Sequence, residues 1–76
     1  MYEENYMMLG EAIVKQAAKD YVSSLKSLRL YPEDPELQRR KAECERFFRS
    51  EWYMMLTKID GEYLIRRLQE DVKRGR

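Results

Sequence analysis

Apolar residues recur at every third or fourth position over most of this chain, the period of helices that bury one side. Between Leu9 and Leu30 no proline interrupts, and Val14, Ala17, Ala18, Tyr21, Leu25 and Leu28 fall on one side at the helical turn of about 100° per residue. Pro32 ends this first helix at or before Tyr31. Asp34-Pro35-Glu36 then carries the marks of a helix start: a side-chain acceptor at the N-cap, proline in the first turn, and a carboxylate near the positive end of the dipole. Leu37, Cys44, Phe47, Phe48, Trp52 and Met55 share a face of a second helix, which runs to about Leu56 unless Ser50 breaks it. Asp60-Gly61-Glu62 repeats the start signal with glycine for proline, and Thr57 with Asp60 offers a capping pair one turn earlier. Leu64, Ile65, Leu68 and Val72 make the stripe of a third helix, closed by Gly75 among Lys73, Arg74 and Arg76.

The expected spans are therefore roughly 9–30, 35–56 and 60–73, with residues 1–8 an N-terminal segment, 9–73 one helical domain and 74–76 a tail. No period-two alternation or hairpin-turn dipeptide argues for a strand. The predicted class is all-α. A connection of about four residues pairs the two long helices as an antiparallel hairpin, covered by the third in a three-helix bundle. In that hairpin, positions whose numbers add to roughly 66 lie side by side. Met7 and Met8 then fall near Met54 and Met55, with Tyr2, Tyr6, Leu9 and Trp52 crowding the same end.

A chain of 76 residues buries too small a fraction of its surface to be comfortable without a staple. Cys44 is the only cysteine and histidine is absent, so neither an internal disulfide nor a structural zinc site is available. Packing and self-association remain, and a homo-oligomer, most simply a dimer, is expected. Ala12, Gln16, Ser23 and Ser27 lie on the back of the first helix, where small uncharged side chains let another helix come close; Met54 at the methionine-rich end is the other candidate contact.

Missing histidine also removes the commonest general base, and Cys44, central on an apolar face, is expected to be buried and inert. The three glycines are scattered rather than gathered in a phosphate loop. No catalytic residue, metal site or cofactor is expected, and the chain reads as a binder rather than an enzyme. No stretch is apolar enough to span a membrane, and the acidic start does not resemble a secretory leader, so a cytoplasmic protein is expected.

Charge changes the picture only in its distribution. The 15 basic and 14 acidic side chains nearly cancel overall. Residues 1–36 hold four Lys/Arg against seven Asp/Glu, while residues 37–76 hold eleven against seven. On a second helix continuing to Leu56, Arg39, Arg46, Arg49 and Tyr53 project opposite the core stripe, a planar and donor-rich face suited to an anionic ligand or an acidic protein patch. The bland alternative is a solvated face on which Arg46 and Arg49 pair with nearby glutamates. Arg66 and Arg67 are outlying candidates for the same contact; with Arg39-Arg40 they point to nucleic acid only weakly.

Phe47-Phe48-Arg49-Ser50-Glu51-Trp52-Tyr53, then Leu56-Thr57-Lys58-Ile59-Asp60-Gly61-Glu62-Tyr63-Leu64-Ile65-Arg66-Arg67-Leu68, resembles a family of uncharacterised small helical proteins carried by prophages and conjugative elements of Clostridia and related bacteria. Glu11-Ala12-Ile13-Val14-Lys15-Gln16-Ala17-Ala18-Lys19-Asp20-Tyr21 is similar too. The resemblance implies an accessory protein of a mobile element, made in a bacterial cytoplasm. Three roles fit that context: first an anti-defence inhibitor that sequesters a host protein or an anionic nucleotide signal, next a nucleic-acid- or replisome-binding accessory of a phage replication module, and last a structural subunit with no ligand.

Overall fold

The computed structural model describes the backbone from Tyr2 to Gly75 and the side chains from Gly10 to Gly75. Four helices follow one another: α1 (Tyr2–Leu30), α2 (Pro35–Phe48), α3 (Glu51–Leu56) and α4 (Gly61–Lys73). The all-α class stands, with four helices where three were expected. α1 also begins seven residues before the expected start at Leu9, taking in most of the predicted N-terminal segment. Gly10 lies inside it, and a single glycine costs a helix only about 1 kcal/mol, too little to stop one otherwise free of breakers.

The α1–α2 hairpin forms as its turn chemistry dictates. Asp34 is the N-cap of α2, and its Oδ1 accepts from the backbone N–H groups of Glu36 and Leu37 at 2.9 and 3.3 Å. Antiparallel register then sets Tyr21 beside Glu45 and Gly10 beside Leu56.

The second predicted helix is two. Its first piece ends at Phe48, and Ser50 leaves the helical region at φ −82° and ψ 160° to cap α3. The Ser50 Oγ accepts from the Tyr53 N–H at 3.1 Å and donates to the Phe47 carbonyl at 2.6 Å, so one hydroxyl closes α2 and opens α3. This break changes the helical phase. Tyr53, expected to project outward, is 1% exposed, while Trp52 and Met55, expected in the core stripe, are 55% and 83% exposed.

α4 enters immediately over the end of α2. A Cβ at Gly61 would sit 1.9 Å from the Phe48 carbonyl oxygen, so only glycine lets the two backbones come this close. Asp60 occupies the N-cap position without a side-chain cap bond, and Thr57 instead turns back to accept from the Ile59 N–H. At the far end Arg29 of α1 donates to the Val72 carbonyl at 2.8 Å, satisfying one of the last acceptors of α4. Gly75 takes φ +79° just beyond the helix, as the chain end predicts.

The core is Val14, Tyr21, Phe48, Tyr53 and Ile65, with Ala17, Ala18, Leu25, Cys44, Phe47, Leu56, Leu64 and Leu68 around it. Through it runs a polar clasp. The Tyr21 hydroxyl donates to Glu45 Oε2 at 2.7 Å and accepts from Gln69 Nε2 at 3.0 Å, joining α1, α2 and α4. Lys41 Nζ completes the set 2.9 Å from the same carboxylate oxygen. Burial and then the Glu45 carboxylate push the Tyr21 hydroxyl well above its ordinary pKa. At Glu45 burial alone would raise the carboxyl, but hydrogen bonds from Tyr21 and Lys41, with the charges of Lys41 and Arg49, hold the group below its ordinary value.

Two outcomes follow from these contacts. Gly61→Ala should lower stability by about 2 kcal/mol or more, because backbone rather than a flexible side chain must move; a denaturant midpoint unchanged from the parent would refute the close approach. The depressed Glu45 contributes stability that is present above its unfolded value of about 4.5 and lost as pH falls through the folded one. Urea midpoints followed from about pH 6 to pH 3 should therefore decline, and Glu45→Gln should flatten part of that decline while lowering stability at neutral pH.

Candidate functional site

The basic residues singled out from the sequence do not assemble into one face. Arg39 spends its guanidinium on Glu36, with Nη2 2.6 and 2.7 Å from the two carboxylate oxygens, and Arg40 approaches the same carboxylate at 3.7 Å. Arg49, the C-cap of α2, reaches across to Glu62 on α4, through Nε to Oε2 and through Nη2 to Oε1. Each glutamate is held below its ordinary pKa, first by the hydrogen bond from its arginine. Arg67 stands 3.5 Å from Asp71. These pairs are solvent-exposed, so each adds little to stability, but each leaves less charge free for a ligand.

Arg46 and Arg66 are exposed and, among the described residues, in no ion pair. The face formed by Arg46, Arg49 and Tyr53 fails for a geometric reason. It requires Tyr53 to follow Arg46 by two turns of a continuous helix, and α2 stops at Phe48. The pairing of Arg49 with a glutamate was foreseen as the bland alternative; that of Arg46 was not realised.

What the break exposes instead is apolar. Of the six residues of α3, Tyr53 is buried and Leu56 half-buried, while Trp52, Met54 and Met55 are exposed, Met54 by 65%. Ile59 in the following turn and Tyr63 in the first turn of α4 add two more half-exposed apolar side chains. The surface is not loose underneath. Trp52 meets Phe47 edge-on with centroids 5.5 Å apart, and Phe47 in turn meets Phe48 and Tyr53 at 5.6 Å. Packed aromatics thus hold the indole on one side, and about half of it faces solvent. Sequence reasoning placed Trp52 and Met55 in the core because a single helical phase was carried through Ser50; the break there was foreseen as the alternative, but its effect on the phase was not followed, although Ser50-Glu51 is itself a helix start. The methionine-rich end foreseen around Tyr2, Tyr6, Met7, Met8 and Leu9 lies outside the described side chains.

The back of α1 is open as expected. Ala12, Gln16 and Ser23 are exposed and Ser27 is half-buried, with Gln16 bonded to Asp20 at 3.0 Å. Ser23 and Ser27 form a ridge between two grooves. One, about 520 Å³, lies toward α4 and is lined by Ala18, Lys19, Val22, Lys26 and Leu68. The other, about 320 Å³, lies toward α2 and reaches Cys44. Cys44 is therefore half-buried rather than buried, though desolvation first and neighbouring carboxylates second still push its thiol up, against nucleophilic use. Among the described residues no cluster of His, Cys, Asp and Glu is placed to hold a metal ion, and no helix is long and apolar enough to cross a membrane.

No protein-family model matches this chain, and no curated protein or solved structure does.

Tyr53 carries one unresolved polar group: its buried hydroxyl has no hydrogen-bond partner, and burial raises its pKa, with Asp60 adding to the effect. A buried unsatisfied hydroxyl costs about 1–3 kcal/mol. Tyr53→Phe should therefore keep or raise stability by up to about 1 kcal/mol, whereas Tyr21→Phe, which cuts two bonds of the clasp, should lower it by a similar amount or more. Equal losses in both variants, measured by denaturant unfolding, would show that Tyr53 has a partner after all.

Proposed function

We propose that this chain is a non-catalytic accessory protein of a phage or other mobile element, acting stoichiometrically in a bacterial cytoplasm by occupying a host protein, and in that way inhibiting host defence. The observation that supports this reading is the apolar surface of α3, where Trp52, packed against Phe47, and the neighbouring Met54 and Met55 face solvent. Exposed tryptophan and methionine in one short element, with tyrosine nearby, are the residue types that concentrate binding energy at protein interfaces. Methionine adds adaptability, since its unbranched thioether chain fits pockets of varied shape.

A protein target is favoured over an anionic nucleotide for a stated reason. Arg49 is already bound to Glu62, Arg39 to Glu36, and Tyr53 is buried, so the phosphate-binding face has lost three of its members. Arg46 on α2 remains exposed and, among the described residues, in no ion pair, but a lone cation tunes approach more than grip. Arg66 and Arg67 do not by themselves favour nucleic acid, and the replication-module reading is the weaker of the two.

Immobilised chain should retain a host protein from lysate, and retention should persist at about 0.5 M salt because apolar contact rather than phosphate pairing carries it. Trp52→Ala with Met55→Ala should weaken retention at least about tenfold, while Arg46→Ala with Arg49→Ala should leave it nearly unchanged. The opposite ranking, or recovery of nucleic acid released steeply by salt, would overturn the proposal.

A further inference from the structure

The two methionines of α3 stand open to water, where methionine more often fills gaps in a core. Met55 is 83% exposed, more than any other large apolar side chain among the described residues, and Met54 is 65% exposed. Neither holds α3 in place. That element is fixed by the Ser50 cap at its start and by Tyr53 and Leu56, the side chains it turns inward. Chemistry at the two thioethers can therefore change the surface without undoing the fold.

A thioether has one reaction that does this under mild conditions, oxidation to the sulfoxide. Sulfur attacks one oxygen of hydrogen peroxide, and the O–O bond breaks as the S–O bond forms. The proton on the transferred oxygen passes to the departing hydroxide, which leaves as water; sulfur gives up two electrons and the peroxide takes them. The product replaces an apolar side chain by a polar one. On a free surface the new oxygen is solvated. Beneath an apolar partner it would be buried with no donor to meet it. The thiol of Cys44 competes poorly for the same oxidant, being half-buried and pushed by desolvation away from its reactive thiolate form.

We propose that Met54 and Met55 are an oxidation site, and that their conversion to sulfoxides by a peroxide turns the α3 surface from binding its partner to releasing it. The inference rests on α3 being the binding surface proposed above. Met55 reacts first. Met54 lines a small recess of about 180 Å³ with Phe48, Asp60 and Gly61 at the start of α4, which covers part of its side chain, and it follows. Trp52 precedes Met55 by one helical turn, so an oxygen on Met55 also falls beside the indole that anchors the surface. A sulfoxide reductase, with a thiol as electron source, returns the sulfur to a thioether, and the switch is reversible.

The test treats the full chain with hydrogen peroxide and maps the added oxygen by peptide mass, in the folded protein and in urea. Met55 should gain oxygen first and Met54 second, each within about threefold of its rate in the unfolded chain. With a phenyl-bearing matrix as the probe, the treated chain should bind at least about fivefold more weakly than the untreated one, at parental helicity by circular dichroism. Met54→Leu with Met55→Leu leaves the other methionines oxidisable, so its own ratio of treated to untreated binding should stay near unity. A sulfoxide reductase with dithiothreitol should restore binding to the treated parent chain. Should peroxide unfold the protein through another methionine, Met54→Gln with Met55→Gln places polar groups on α3 without oxidant and should show the same loss. Slow oxidation of both residues in the folded chain, binding indifferent to oxidation or to the glutamine pair, or undiminished sensitivity in the leucine pair would each overturn the proposal. A host lysate passed over treated and untreated chain separates this switch from the reading beneath it. Untreated chain that retains no host protein overturns that reading, whatever the phenyl matrix reports; retention that survives oxidation overturns the switch alone.

Discussion

The Phe48 carbonyl and the α-carbon of Gly61 stand so close that not even a methyl group separates them, and much of the molecule follows from that approach. For α4 to begin there, the chain must leave α2 at Phe48, travel outward and return within a dozen residues. α3 is the outward excursion, bounded by the Ser50 cap and the Thr57 turn. Being only six residues long, it cannot bury a full stripe; it buries Tyr53, half-buries Leu56 and presents Trp52, Met54 and Met55 to solvent. The exposed apolar surface is thus a product of backbone geometry rather than of composition. A continuous second helix would have hidden Trp52 and left Tyr53 outside.

Against this constraint works the polar clasp of Tyr21, Glu45, Gln69 and Lys41. Apolar contact would hold the helices together in several rotations, since dispersion and desolvation are poorly directional. A hydroxyl that must donate to one helix and accept from another allows far fewer. Glu45 is the costly member, because burial disfavours its charge and its two donors, with the nearby charges of Lys41 and Arg49, must make up the difference. Substituting one donor therefore leaves a half-satisfied carboxylate, which is worse than an apolar replacement of the whole set.

Legibility in the sequence followed the range of the interactions. The Asp34-Pro35 start and the Gly75 close rest on neighbours within a few positions, and the structure has them where local chemistry put them. The hairpin register was legible because short connections leave two helices little choice. The upstream part of α1 was underread, as no cap marks its true start more loudly than Leu9 marks an apolar one. The division at Ser50 was the decisive ambiguity: serine serves a helix interior poorly but not prohibitively, and only the approach of α4 to Phe48 settles which role it takes. That contact spans thirteen positions and no periodicity reveals it. The Tyr21–Gln69 and Arg29–Val72 bonds, with still larger separations, were likewise invisible. Misplacing Tyr53 was the direct cost, and with it went the arginine–tyrosine face.

Trp52 is the only tryptophan in the chain, and it stands half in water with one edge against Phe47. Indole emission moves to shorter wavelength when water leaves the ring, and no second indole here dilutes the signal. The molecule consequently carries its own optical gauge at α3. Whatever settles on that surface announces itself in the fluorescence of the unlabelled protein.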